Sequence, residues 1–318
     1  MVRVVDRQSG KLRGTYDANQ DGGAPGFHGR PLVTSDWIVI GSDDRRPDGV
    51  GHVYAFHRKT LKLAWKYRVG PGVMTDVVRF GRTVYVVTLA DELIAIDLRT
   101  GTARWTFRSG ASNPQFAVNS TPVVVSGRVI FGGLNGTVYG LDARSGAVVW
   151  RRDLGAKVST SVTGVGGDVF LGDASGLFHR LDAATGASKA QLHIGGELIS
   201  KLFPLDESIL VFANVDGVTT LMSLPLNLKS VDWARSAPGE GWSSFAWPHV
   251  WERWVVAGTA TGRFFGVRLA DGQLDWEGKI TGAVAGIAGD ETAVYLGTSN
   301  GILYCYPLPA AAELGRRR

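Results

Sequence analysis

Short apolar stretches rich in Val, Ile and Leu alternate with Gly-containing turns along the whole chain. Thr121–Val125 is one such stretch, broken by Ser126-Gly127; Val129–Leu134 resumes it, and Asn135-Gly136 turns the chain back into Thr137–Leu141. Asp142–Gly146 then leads into Ala147–Leu154. Apolar runs of this length bounded by Gly, Asn and Ser predict strands. An Asn-Gly pair predicts a two-residue hairpin because both residues tolerate positive φ. The pattern thus predicts a four-stranded antiparallel unit with strands A to D. Its B–C turn recurs as Ser175-Gly176, Asp216-Gly217, Thr261-Gly262 and Asn300-Gly301.

The C–D turn and strand D recur too. The clearest copy reads Ala95-Ile96-Asp97-Leu98-Arg99-Thr100-Gly101-Thr102-Ala103-Arg104-Trp105. A second ends at Trp150, with Asp142, Ser145 and Gly146 in register; a third has Asp182, Thr185 and Gly186, with Ala190 in the Trp slot. Weaker copies end at Trp65, Trp233 and Trp276, and an N-terminal fragment carries Asp6, Ser9 and Gly10 with Gly14 in that slot. From Trp65 onward the copies are 40 to 45 residues apart, the period of a four-stranded propeller blade. The Asp side chain is expected to accept backbone N–H bonds of its turn, and the Gly to adopt the left-handed conformation. A four-stranded sheet has two apolar faces and cannot bury them alone. Trp65, Trp105, Trp150, Trp233 and Trp276 are therefore expected to wedge between neighbouring blades.

These repeats predict an all-β fold, a seven-bladed β-propeller of four-stranded antiparallel blades. Complete blades run over 31–70, 75–110, 118–155, 158–195, 198–239 and 242–281. Residues 284–307 supply strands A to C, and 2–17 the end of a strand C and a strand D. Together they would form one composite blade that closes the ring and removes exposed edges; a ring of eight blades is the alternative. Residues 1–309 then form one domain, followed by a basic C-terminal tail, 310–318.

The pattern Ala-x-Asp-x-x-Thr-Gly-x-x-x-Trp at 95–105 resembles the tryptophan-docking repeat of quinoprotein (PQQ-like) propellers. That repeat also occurs in non-catalytic relatives such as the BamB-type outer-membrane assembly lipoproteins. The resemblance covers almost the whole chain and implies the fold more than the function. In catalytic members it implies a central PQQ, a calcium ion, an Asp base and a vicinal cysteine pair. Here Cys305 is the sole cysteine, so the pair is absent and the non-catalytic branch is indicated.

The composition agrees with a folded chain: 318 residues, 44% hydrophobic, 20% charged, with 43 Gly. The net charge of +5 includes Arg316, Arg317 and Arg318, and no concentrated basic stripe suggests nucleic-acid binding. No apolar run reaches the length of a transmembrane segment. Met1–Asp6 is not a signal peptide. As written this favours the cytoplasm, or the periplasm or cell surface if an export segment precedes Met1.

A search for chemistry finds no catalytic constellation, cofactor motif or metal motif. His28, His52, His57, His179, His193 and His249 form no HExxH-type pattern and read as surface or turn residues. Gly164-Val165-Gly166-Gly167 lies between strands rather than before a helix. Asp43 and Asp44 read as part of a solvated loop. The irregular material gathers in B–C and D–A loops, which share one face of a propeller: 42–51, 109–120, and 238–242 followed by Phe245 and Trp247. Arg45, Arg46, Asn113, Gln115, Phe116 and Trp242 are the candidate partner-binding residues, since loops on rigid scaffolds carry function and Arg and aromatics dominate interface energies. For Trp242, Phe245 and Trp247 the alternative is a place in strand A or in the central channel. The expectation is a monomeric, non-enzymatic scaffold for a protein partner or peptide. The alternatives are a PQQ-binding oxidoreductase and a carbohydrate-binding propeller using exposed Trp.

Overall fold

A computed structural model describes residues 1–22, 25–44, 46, 49–110, 120–198, 201–243, 248–290 and 292–307. The chain divides into two compact units, Met1–His193 and Ile194–Arg318.

In the first unit β1 (Val2–Val5) and β2 (Leu12–Tyr16) form a hairpin. Four sheets of four strands follow. They are β3 (Leu32–Val33), β4 (Trp37–Gly41), β5 (Gly51–His57) and β6 (Leu63–Val69); β7 (Val78–Phe80), β8 (Thr83–Val87), β9 (Glu92–Asp97) and β10 (Ala103–Arg108). Next come β11 (Val123–Val125), β12 (Arg128–Gly132), β13 (Thr137–Asp142) and β14 (Val148–Asp153); then β15 (Thr163–Val165), β16 (Asp168–Gly172), β17 (Leu177–Asp182) and β18 (Ser188–His193). In the second unit, β19 (Glu197–Leu198) and β20 (Phe203–Pro204) both pair β21 (Ser208–Val215), which continues to β22 (Val218–Pro225) and β23 (Trp233–Arg235). β24 (His249–Trp251), β25 (Trp254–Gly258), β26 (Arg263–Arg268) and β27 (Leu274–Lys279) make a four-stranded sheet, and β28 (Val284–Gly289), β29 (Ala293–Thr298) and β30 (Leu303–Pro307) a three-stranded one. Apart from the split first strand β19/β20, every sheet is an antiparallel meander in chain order.

Burial explains the strand compositions. β8 and β16 are buried along their whole length, because both faces of an inner strand meet another sheet. The cores lie between sheets. Val39, Val53 and Ala55 pack with Val84, Val86, Ile94 and Ile96; Val87 and Leu93 pack with Val129, Phe131 and Leu141. In the second unit Leu210, Phe212 and Leu221 pack with Val255, Ala257 and Phe265. Strands D end their sheets and alternate half-buried with exposed residues. Their exposed positions carry Lys66, Arg68, Arg104 and Arg108, charges that protect an open edge from pairing with another chain.

Each dock joins an indole to the turn of the next sheet. Trp65 Nε1 donates to Leu98 O at 2.9 Å, Trp105 to Ala143 O at 3.3 Å and Trp150 to Ala183 O at 3.1 Å. In the second unit Trp233 Nε1 donates to Leu269 O at 2.8 Å. The same rings cover Gly101, Gly146, Gly186 and Gly272 so closely that a Cβ on any of these glycines would lie 2.5–2.6 Å from ring carbons. The turn Gly therefore leaves room for the indole in addition to supplying its backbone conformation. Trp276 is half-buried, and its Nε1 has no hydrogen-bond partner.

A register shift stands just before the Trp slot in five C–D pairings and in the N-terminal hairpin. Gly140 faces Trp150 while Leu141 faces Val148, and the same one-residue bulge precedes Gly14, Trp65, Trp105, Ala190 and Trp276. Such a bulge re-aims the side chain that follows it. At the other end of the sheets, Val73, Val158 and Val284 fill the space that a Cβ at Gly41, Gly132 and Gly258 would need. The N-terminal fragment contains more than the end of a strand C: β1 and β2 pair as a full hairpin whose turn repeats the Asp97-type arrangement.

Candidate functional site

Five of the B–C turns are closed by a short polar side chain at the end of strand B. Thr88 Oγ1 accepts from Glu92 N at 3.3 Å, Thr259 Oγ1 from Arg263 N at 3.2 Å and Thr298 Oγ1 from Ile302 N at 3.1 Å. Asp173 Oδ1 does the same for Leu177 N at 3.3 Å. Ser42 holds this position in the first four-stranded sheet, where its Oγ accepts from His52 N at 3.1 Å across the insertion. The expanded loop is thus a normal hairpin closure with extra residues.

That insertion is anchored, and Asp43 and Asp44 are 2% and 1% exposed, which corrects their reading as solvated loop residues. Asp43 exchanges backbone hydrogen bonds with Gly26 at 2.8 and 3.0 Å, and Asp44 N donates to Pro71 O at 3.0 Å. The Asp44 charge is paired, and an imidazole stands beside Asp43. His28 Nε2 stands 3.3 Å from Asp43 Oδ1, and Arg46 clasps Asp44 through Nε at 2.9 Å and Nη2 at 2.6 Å. Such a fork is a strong, directional contact. Gly49 is required here, because a Cβ would collide with the Asp44 carbonyl. The Arg46 side chain remains 61% exposed, so its partner fixes it while its outer side meets solvent.

A second brace lies at the root of the 109–120 loop. Asp91 is fully buried at φ +57°, in a conformation uncommon for a residue other than Gly. It accepts from Ser109 Oγ and, at 3.1 Å, from Leu134 N of the next turn. Asn135 Nδ2 donates to Tyr139 OH at 2.8 Å and to Ser109 O at 3.4 Å. Two sheets are thereby tied where the loop emerges.

A third brace underlies the turn after β16. His179 Nε2 lies 2.6 Å from Asp173 Oδ2 and Gln191 Nε2 lies 3.1 Å from His179 Nδ1, with His179 1% exposed. The amide donates to Nδ1, and Nε2–H donates to the carboxylate. This buried pair corrects the expectation of a surface or turn role for His179. Elsewhere in the first unit, beside Tyr54 and Phe56, the Tyr16 hydroxyl is pushed up to about 12 by burial and by its hydrogen bond to Asp21. Burial also lowers the His52 imidazole, with Lys66 adding to the shift.

Of the candidate partner-binding residues, Arg46 is exposed and fixed. Arg45, Asn113, Gln115 and Phe116 lie outside the described residues, as do Phe245 and Trp247. Trp242 is corrected: it is 3% exposed, donates from Nε1 to Arg235 O at 2.6 Å and meets Phe265 edge-on. Its backbone bridges to Thr259 just as Val158 bridges to Asp173, so it fills the seam before a strand A and offers no surface. Every described tryptophan is buried or half-buried. Asp43, Asp44, Asp91 and the Asp173–His179–Gln191 set were missed. The polar residue recurring at the end of several strands B (Ser42, Thr88, Asp173, Thr259, Thr298) was the signal that could have pointed to the braces.

Among the described residues no group of three His, Cys, Asp or Glu side chains is placed to hold a metal ion, and no helix is long and apolar enough to cross a membrane. Comparison with known proteins adds the ancestry. The chain is 32% identical to a quinohemoprotein alcohol dehydrogenase of Comamonas testosteroni over 143 residues, 41% of this chain and 20% of that protein. It is 29% identical to the outer membrane protein assembly factor BamB of Xanthomonas campestris pv. campestris over 147 residues, 42% of this chain and 32% of that protein. The matched stretches thus span a third or less of these relatives. The crystal structure of BamB from Moraxella catarrhalis superimposes with a TM-score of 0.76 at 17% identity, covering 96% of this chain and 91% of that one; this likeness establishes the propeller fold. Residues 1–142 and 134–293 match the family described as outer membrane protein assembly factor BamB, and with its PQQ-like repeats and docked indoles the chain belongs to that family.

Proposed function

We propose that the chain is a non-enzymatic scaffold that docks a protein partner or peptide through its B–C and D–A loops. The observation that carries this reading is the bracing of the loop roots. Asp43 and Asp44 are buried and bonded at the base of the insertion that presents the Arg46 guanidinium, and Asp91 is buried and bonded at the root of the 109–120 loop. Preorganised loops lose less entropy on binding, and Arg is a residue type that dominates interfaces. The assembly-factor name of the BamB relatives supports the same reading. The test is capture of partners on immobilised protein, comparing wild type with Arg45→Ala and with Asn113→Ala/Gln115→Ala/Phe116→Ala. Loss of the captured set with an unchanged unfolding midpoint is expected; an unchanged set would refute the loop face.

The second reading, a quinone-dependent oxidoreductase, is favoured by the dehydrogenase relatives. The donor set does not fit a calcium-linked quinone: Cys305 is the sole cysteine, and the described residues assemble no metal group. Titration with PQQ and calcium decides between the readings, since stoichiometric absorbance change with dye-linked alcohol oxidation would replace the scaffold. Ring closure belongs with these proposals. A composite of 284–307 and 2–17 would join a three-stranded sheet to a two-stranded hairpin.

A further inference from the structure

Folding gathers a charge excess that the sequence scatters. Residues 1–193 carry 24 Lys and Arg against 16 Asp and Glu. In the first unit the A–B and C–D turns lie at one end of the strands, opposite the B–C and D–A loops, and they are joined. Arg58 N donates to Asp36 O at 2.8 Å, Leu98 N to Arg82 O at 2.9 Å and Ala143 N to Gly127 O at 3.0 Å, which ties the two turns within each of the first three four-stranded sheets. Trp65 bonds Leu98 and Trp105 bonds Ala143, which ties each sheet to the next turn. Gly14 of the β1–β2 hairpin lies against Leu61, whose Cδ1 a Cβ would approach to 2.8 Å. The hairpin and three sheets thus present turns 6–11, 34–36, 57–62, 81–82, 97–102, 126–127 and 142–147 side by side. Counted with two residues on either side, these turns hold 12 of the 24 basic side chains and only four of the 16 acids, Asp6, Asp36, Asp97 and Asp142. The other charges of residues 1–193 balance. Lys59, Arg99 and Arg144 are exposed at successive tips, while Asp97 and Asp142 are engaged by their own turn N–H groups and by Arg104 and Arg128. The same end exposes Val5, Leu12, Val33, Phe80, Val148 and Val149, each 40–58% accessible. With Met1 they are all the exposed large apolar side chains among the described residues of this unit.

We propose that this end of the first unit binds the surface of a membrane rich in anionic phospholipid. Lys and Arg of the turns meet the phosphates, and the apolar side chains between them enter the headgroup boundary. Two observations favour a lipid surface over other anions. First, the charges stand on turn tips of four successive sheets. Packed sheets are about 10 Å apart, so the tips extend over roughly 30 Å, and a plane meets all of them. Charges so spaced act together on a negatively charged surface, whose potential reaches about one Debye length into solution. Second, five of the six exposed apolar side chains are Val or Leu. Aliphatic groups gain from contact with acyl chains, whereas a nucleic acid rewards rings that stack on its bases. The inference goes beyond the scaffold reading and does not depend on it. It uses the opposite end of the strands, so the B–C and D–A loops stay directed away from the lipid.

The test is vesicle flotation with equimolar phosphatidylcholine and phosphatidylglycerol against phosphatidylcholine alone. Wild type should bind the anionic vesicles at least about tenfold more tightly, and less tightly as salt rises. Lys59→Glu/Arg99→Glu/Arg144→Glu should lose that binding with an unchanged unfolding midpoint. Arg68→Glu/Arg151→Glu/Lys157→Glu changes the net charge equally at exposed positions outside these turns and should keep most of it. Phe80→Ser should weaken binding and leave its salt dependence in place. No binding to anionic vesicles, equal binding to the neutral ones, full binding by the first triple variant, or equal loss in the two triple variants would overturn the proposal. So would tighter binding to a dye-labelled single-stranded oligonucleotide or to polyglutamate, which would assign the surface to another polyanion. Flotation leaves the loops unaltered, so its failure beside intact loop-dependent capture would sink the lipid surface alone.

Discussion

Gly127 and Gly146 sit in turns of the same sheet with nearly the same backbone, φ +72° and +73°. They differ in surroundings. A Cβ at Gly127 would meet nothing within 4 Å, whereas one at Gly146 would lie 2.6 Å from Cδ2 of Trp105. Ala at either site carries the left-handed backbone penalty of about 1–2 kcal/mol. Only Gly146→Ala must also push the indole off its seat and strain its bond to Ala143, an overpacking cost of about 1–3 kcal/mol. Gly127→Ala should therefore cost about 1–2 kcal/mol and Gly146→Ala about 2–5 kcal/mol, measured by urea unfolding. Trp105→Ala should by itself cost about 3–5 kcal/mol. In that background Gly146→Ala should fall back to the Gly127→Ala value, giving a coupling of about 1–3 kcal/mol in a double-mutant cycle. Equal costs at the two glycines, or a clash cost that survives removal of the indole, would refute the docking account of the repeat.

Other consequences are open to measurement. Gly41→Ala should cost about 1–3 kcal/mol by crowding Val73, whose side chain a Cβ would approach to 2.7 Å, and Val73→Ala should relieve most of it; thermal unfolding of the pair checks this. Asp97 is held at about 2 by its Arg104 partner and turn N–H groups, and Asp182 at about 2 by Lys189 and Thr185. A carboxyl held below its unfolded value of about 3.9 stabilises the fold above that pH, and the contribution disappears as pH falls through about 2. Asp97→Asn/Asp182→Asn should therefore narrow the stability difference between pH 6 and pH 2, read as urea midpoints. Gly49→Ala should loosen the 42–51 insertion without unfolding the sheet, seen as faster hydrogen exchange at Ser42 and Asp44 while β8 amides stay protected.

The repeat was legible because its chemistry is local. An Asp that caps its own turn, a Gly at positive φ and an indole eight residues after the Asp all appear in one stretch of sequence, as at Asp97, Gly101 and Trp105. What each indole touches is not local. Trp105 and Trp242 are the same residue type, yet Trp105 on strand D docks on the next sheet's Gly while Trp242, before a strand A, fills a seam beside Phe265. Burial of Asp43 and Asp44 was illegible for the same reason. Adjacent carboxylates in a polar insertion resemble solvated residues, and only folding back onto Gly26, Pro71 and Gly72 encloses them. The valine-filled hollows at Gly41, Gly132 and Gly258 escaped notice because the glycine ends one strand and the valine precedes or opens another, 26 to 32 residues later in the chain.

The most direct measurement is hydrogen exchange at the indole N–H groups, followed by NMR in native buffer. Trp65, Trp105, Trp150 and Trp233 donate to carbonyls of the following sheet, so their Nε1 protons should exchange only when neighbouring sheets separate, with the denaturant dependence of the core strands. Exchange at the rate of a free indole at these four positions would mean that the sheets are not pinned by tryptophan.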